Sequence, residues 1–155
     1  MESMYKLLQV RRSHRKFTEQ AVEQEKIDAI LRNALMSPAG KSLNPWEFIV
    51  VTDKEMQEKM SKCKPFGGAF LAEAPLSIVI IADTEKSDVW VEDCSVAAFN
   101  IQLTVEDLGL GTLLIERSVL HSLLRLNLQW TVKVFEPSDE LIDSSRKFCN
   151  ILEES

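Results

Sequence analysis

Histidines, paired cysteines, long apolar runs and glycine-rich fingerprints are all scarce in this 155-residue chain, and each scarcity removes a class of function. There are two histidines, His14 and His121, far apart and with no cysteine near either, so no metal site is expected. The three cysteines, Cys63, Cys94 and Cys149, are widely spaced and form no CxxC, which reads as ordinary reduced thiols and a cytoplasmic location. The strongly apolar run from Pro75 to Ala82 is far shorter than the roughly 20 residues of a membrane-crossing helix, and nothing resembles a signal peptide. No GxGxxG is present, which argues against a dinucleotide-binding Rossmann fold. Acidic residues outnumber basic ones, 24 to 18, for a formal charge of -6, and no basic face is evident beyond one short cluster, so nucleic acid is not an expected partner. Repeats, linkers and low-complexity tracts are absent as well, and a single domain over residues 1–155 follows.

What is present is a mixture of helical and strand patterns. Met4 to Val10 has helical spacing, and Glu23 to Met36 is amphipathic, with Ile27, Ile30, Leu31, Ala34 and Leu35 on one stripe and Pro38 and Gly40 ending it. Glu47 to Thr52 is a short β-branched run and therefore a strand. Lys54 to Lys62 is a short helix with Met56 and Met60 inward, followed by a loop through Pro65, Gly67 and Gly68. Leu76 to Ala82 is apolar on both faces, as a covered central strand requires. Ser87 to Leu108 is a long helix whose inward positions are Val89, Ala97, Ile101, Val105 and Leu108, with Gly109 as its cap. Thr112 to Glu116 and Trp130 to Phe135 are two more strands. Val119 to Leu126 is another helix, and a last one runs from Ser138 or Asp139 to about Leu152. Without a strict βαβ alternation, this order predicts an α+β fold, a central mainly antiparallel sheet flanked by helices.

Three stretches could carry chemistry. "VRRSHRKF" at 10–17 holds Arg11, Arg12, Arg15 and Lys16, while the rest of the chain sets fourteen cations against twenty-four acids. Extended, it puts Arg11, Ser13 and Arg15 on one side and Arg12, His14 and Lys16 on the other; helical, Arg11 and Arg15 still share a face. Two guanidiniums beside a hydroxyl suit a phosphate, and a solvated basic loop is the alternative. The second stretch, Ser37 to Trp46, is a stiff loop with two prolines and a glycine, in which Trp46 belongs to the core. The third, Gly109-Leu110-Gly111-Thr112, reads alone as a helix cap and turn.

Their succession is far more specific than any one of them. R-R-S-x-R-x-F follows a short helix. S-P-x-G-K-x-x-N-P-W-E-F-I-V-V, A-P-L-x-I-V-I-x-A-D and D-V-W-x-E-D-C-S-x-A-A-x-N-x-x-L-x-x-E-D-L-G-L-G then come in that order. From about residue 5 to about residue 117 this resembles the nitroreductase family of FMN-dependent NAD(P)H oxidoreductases, and in particular its short bacterial members. Beyond about 117 the pattern diverges, with Phe135-Glu136-Pro137 in place of the usual turn and no motif to place Arg146 or Lys147.

The resemblance implies a homodimer with FMN bound at the interface. Arg11 and Ser13 would lie toward the phosphate and ribityl chain, Arg15 near the pyrimidine, and Arg12 at a position that also touches the cofactor. Pro38, Ala39, Gly40, Ser42 and Asn44 would cover the FMN from the partner subunit, and Leu114, Ile115 and Glu116 would run past its reactive edge. No side chain is expected to act as acid, base or nucleophile, because the flavin carries the chemistry. Hydride would come from NAD(P)H and pass, in a ping-pong cycle, to an electron-poor small molecule such as a nitroaromatic or quinone. A non-catalytic or weakly active FMN-binding protein and an unrelated anion-binding module are the alternative readings.

Overall fold

The computed structural model describes residues 3–62, 69–116 and 128–135, and of Glu116 and the last of these segments the backbone alone. In chain order the elements are α1 (Met4–Val10), α2 (Gln24–Leu35), a single 3-10 turn at Gly40–Ser42, β1 (Trp46–Val51), α3 (Lys54–Ser61), α4 (Phe70–Glu73), β2 (Leu76–Ala82), α5 (Trp90–Asp107), β3 (Gly111–Glu116) and β4 (Leu128–Phe135). The four strands form one sheet in the order β1-β2-β4-β3, and every neighbouring pair is antiparallel. This is the α+β class expected. β2 lies inside the sheet, and its residues from Leu76 to Ile80 are all buried, as its apolar character on both faces requires.

α5 crosses the sheet and touches all four strands, and α2 packs on α5. A row of four-residue spacing, Asp93, Ala97, Ile101 and Val105, runs along the buried side of α5. It meets Ile27, Ile30 and Ala34 of α2 together with Ile78 and Ile80 of β2 in one core that also holds Trp46. Ile30, Ile78, Ile80 and Ile101 are completely enclosed, and burying each such side chain is worth about 1.5–3 kcal/mol. Polar pairs join the same two helices. The Asn33 Nδ2 donates to Thr104 Oγ1 at 3.1 Å, and the Asn100 Nδ2 donates to Ser37 Oγ at 2.8 Å. Gly109 ends α5 with a left-handed φ of 74°, its amide donating to the Glu106 carbonyl.

Several inward positions differ from expectation. In α3 the buried side chain is Gln57, not Met56, which is exposed. The Gln57 Nε2 donates to the Val51 carbonyl at the end of β1, so a hydrogen bond, not apolar burial, decides how the helix is turned. Leu35 and Val89 are exposed as well, because α2 has reached its last turn at Leu35 and α5 begins only after Val89. The short helix α4 was not anticipated. The expected helices from Val119 and from Ser138 or Asp139 lie outside the described residues, as do the loop through Pro65, Gly67 and Gly68 and the late cations Arg146 and Lys147. Among the described residues, no helix is long and apolar enough to cross a membrane.

Candidate functional site

The basic stretch is extended, not helical. α1 stops at Val10, and the Arg11 amide makes the final helical bond to the Leu7 carbonyl. Ser13 then runs parallel beside Thr112 at the start of β3, with the His14 amide donating to the Thr112 carbonyl at 2.9 Å. Further on, the Phe17 ring meets Phe70 of α4, with centroids 6.4 Å apart and planes tilted by 55°. The strip is therefore tied to α1, β3 and α4. Alternation along it buries His14 and leaves Ser13 and Arg15 exposed.

The three arginines are not equivalent. The Arg12 Nη1 donates to the carbonyls of Gln9 and Arg11, both at 2.8 Å, and so closes the C-terminal end of α1. Among the described residues, Arg15 makes only a long 3.5 Å contact, from its Nη1 to the Ser13 carbonyl, and it is exposed. Arg11 is half-buried. Burial raises the Glu106 carboxyl above its ordinary pKa, and the nearby charges of Arg11 and Arg12 oppose that rise. The Oε2 of this carboxyl is buried and has no hydrogen-bond partner among the described residues. Burial, and then the charges of Arg12 and Arg11, lower the pKa of His14.

The loop from Pro38 to Asn44 lies elsewhere. Its Gly40 amide donates to Asp93 Oδ1 at 2.8 Å, in the first turn of α5. A side chain at 40 has no room, because a Cβ there would stand 2.6 Å from Val89 Cγ2. Lys41, Ser42 and Asn44 all adopt left-handed φ, at 54°, 55° and 46°. Ser42, Asn44 and Pro38 are exposed, whereas Ala39 packs against the core.

The structure thus brings some of the expected residues together and keeps others apart. Ser13, between Arg11 and Arg15 in the strip, joins β3 at Thr112, and Leu114 and Ile115 follow Thr112 by two and three residues. Leu114 points toward the core, and of Glu116 only the backbone position at the end of β3 is described. Arg11 and Arg12 lie close to Glu106, in the last turn of α5. The loop stands at the N-terminal end, beside Asp93. Asp93 and Glu106 are thirteen positions apart, about 20 Å along the helix axis.

The donor set at the strip fits a phosphorylated ligand: two guanidiniums and a hydroxyl along one extended side, with Ser13 and Arg15 open to solvent. Reasoning from sequence missed Asp93 and Glu106. For Asp93 a signal existed, since a carboxylate on the row that continues through Ala97, Ile101 and Val105 must be buried and therefore bonded. Glu106 gives no such signal, because its neighbours Arg11 and Arg12 are almost a hundred positions away along the chain.

Comparison with known proteins identifies the family and the fold. The Nitroreductase family pattern matches residues 8–64, which include the basic strip and the loop. The fold superposes on an FMN-dependent nitroreductase from Clostridium difficile R20291 with a TM-score of 0.82 and 40% sequence identity, over 88% of each chain. A relative from Archaeoglobus fulgidus, whose name couples NADH dehydrogenase with NAD(P)H nitroreductase, is 40% identical over 116 residues, 72% of this chain and 66% of its own. A similarly named protein of Methanothermobacter thermautotrophicus is 40% identical over 107 residues, 67% of this chain and 56% of its own. The chain therefore spans less than two thirds of the length of these two relatives. With 40% identity carried through a shared fold and 88% of a solved relative, the chain belongs to the nitroreductase family.

Proposed function

We propose that the chain is an FMN-dependent NAD(P)H oxidoreductase that works as a homodimer. The observation that carries this reading is the bridge from Ser13 to Thr112, which joins the basic strip to the start of β3, the strand that continues through Leu114 and Ile115. In the proposed arrangement Arg11 and Ser13 hold the phosphate and ribityl end, and Arg15 offers its exposed guanidinium to the pyrimidine. Arg12 adds its charge nearby while capping α1. The bound flavin supplies the hydride chemistry. The protein orients it, and Arg15 offsets negative charge at the pyrimidine end. NAD(P)H would be the hydride donor and an electron-poor small molecule the acceptor, each using the cofactor site in turn.

The separation of the loop from the strip supports a dimeric site. Within one chain the loop is bonded to Asp93, near the start of α5, whereas Arg11 and Arg12 lie near Glu106, close to its end, so in this reading Pro38, Ala39, Gly40, Ser42 and Asn44 serve the cofactor of a second copy. An apolar surface for that copy is available. Leu35 and Met36 at the end of α2 and Val96 and Phe99 on α5 are all exposed, and the Ser37–Asn100 bond joins the two elements at this place.

The test is to purify the protein, add FMN, and then mix it anaerobically with NADH or NADPH. Bleaching of the flavin followed by reoxidation with a quinone or nitroaromatic is the expected result. A protein that takes up no FMN overturns the reading, and bleaching that no acceptor reverses favours a binding protein without turnover. Replacing Arg11 and Arg15 together by Ala is expected to abolish FMN binding while leaving the circular dichroism of the folded chain unchanged.

A further inference from the structure

Asp93 is buried, yet it belongs neither to the basic strip nor to the loop that the cofactor reading invokes. Both of its carboxylate oxygens are engaged. Oδ1 accepts the Gly40 amide at 2.8 Å, and Oδ2 accepts the Ser87 hydroxyl at 3.2 Å. The Ser87 Oγ in turn accepts the Val89 amide at 3.3 Å, which fixes the hydroxyl's direction. The chain beyond Gly40 is in an unusual state, with three side-chain-bearing residues, Lys41, Ser42 and Asn44, in left-handed conformations. Such conformations persist only where the surroundings over-determine them. At the far end of the loop, Lys86 Nζ donates to the Asn44 carbonyl at 3.2 Å and the Asp83 amide donates to the Pro45 carbonyl at 2.9 Å. At the near end, the side chain that reaches the backbone is Asp93. Gly40 can approach it only because it has no Cβ, as the 2.6 Å distance to Val89 Cγ2 shows.

We infer that Asp93 is the positioning residue of the 38–44 loop, holding the Gly40 amide so that Ser42 and Asn44 are presented outward in one fixed arrangement to the ligand of the partner chain. The ligand's identity as a flavin rests on the proposed function, but the fixing of the loop does not. Asp93 touches no ligand and acts through Gly40. Without the carboxylate, the Gly40 amide loses its acceptor, and the left-handed residues lose the anchor at the near end of the loop. An asparagine keeps an oxygen for Gly40 and can donate its amide to Ser87 Oγ, so geometry and charge can be tested apart.

The experiment compares the full chain with Asp93→Ala, Asp93→Asn and Ser87→Ala. Trypsin cleavage after Lys41, followed by mass spectrometry, reads the loop directly and needs no cofactor. Cleavage should be about tenfold faster in Asp93→Ala and within about threefold of wild type in Asp93→Asn. The FMN dissociation constant, read from flavin fluorescence, should rise about tenfold in Asp93→Ala and stay within about threefold in Asp93→Asn. Heat unfolding of the FMN-free proteins checks that both are folded at the assay temperature. Wild-type cleavage rates in Asp93→Ala, or an Asn variant as defective as the Ala variant, overturn the inference. Faster cleavage with unchanged FMN affinity overturns the part in which the loop serves the ligand. Should Asp93→Ala not fold, Ser87→Ala takes its place, and unchanged cleavage there overturns the inference too. A wild-type protein that binds no FMN removes the flavin reading, and the trypsin measurement still decides the role of Asp93.

Discussion

The amide of His14 donates to the carbonyl of Thr112 at 2.9 Å, and the imidazole of the same residue is buried. Burial, with the charges of Arg12 and Arg11, holds its pKa below the ordinary 6.5. The unfolded chain therefore binds a proton more readily than the native one as pH drops below about 6.5. Stability is fully present above that pH and is lost as pH falls through the folded pKa. The melting midpoint is expected to decline between pH 7.5 and 5, and to decline less in His14→Asn. Scanning calorimetry across that range decides it, and equal declines would assign the acid sensitivity to other groups.

Gly40→Ala is expected to destabilise the protein by about 1–3 kcal/mol, since its Cβ must displace the stiff, β-branched Val89. Urea unfolding midpoints measure this. Combining it with Val89→Ala should recover most of the loss, because Val89 is partly exposed and the clash is with its Cγ2.

Gly109→Ala is costly for a different reason. Among the described residues nothing lies within 4 Å of the added Cβ, so space is no obstacle, but φ is 74°. A loss of about 1–2 kcal/mol is expected from the backbone alone. Gly109→Asn should lose less, since asparagine tolerates the left-handed region better. Equal losses in the two variants would point to a packing cause that the structure does not contain.

Phe99→Asp tests the proposed dimer. Phe99 is 42% exposed in the single chain, so folding should be little affected. Light scattering after gel filtration should shift from dimer to monomer, with FMN uptake falling in parallel. A variant that stays dimeric would move the interface away from this face of α5.

Much of the architecture was legible because apolar spacing and punctuation agreed. Leu76 to Ala82 lies inside the sheet because its side chains are apolar on both faces, and Gly109 caps α5 because only a left-handed residue fits there. α3 is turned differently from its apolar pattern, in which methionines outrank a glutamine. The decisive term was the open Val51 carbonyl, which belongs to another element. The candidate site divides similarly. The order of motifs pointed to Arg11, Ser13 and Arg15, and the extended strip suits that expectation. That the 38–44 loop sits at the other end of α5, tied to Asp93, depends on a contact spanning 53 positions that local pattern does not encode.

The bonds from Asn33 to Thr104 and from Asn100 to Ser37 have one more consequence. Apolar stripes hold α2 against α5, but greasy surfaces tolerate sliding. A slip of one helical turn, about 5.4 Å, would part both amides from their oxygens at a cost of about 1 kcal/mol each. The two amides thus act as a key that selects a single axial setting. Because Ser37 is one of the wards, the same key fixes where the chain leaves α2, and so the point from which the following loop sets out.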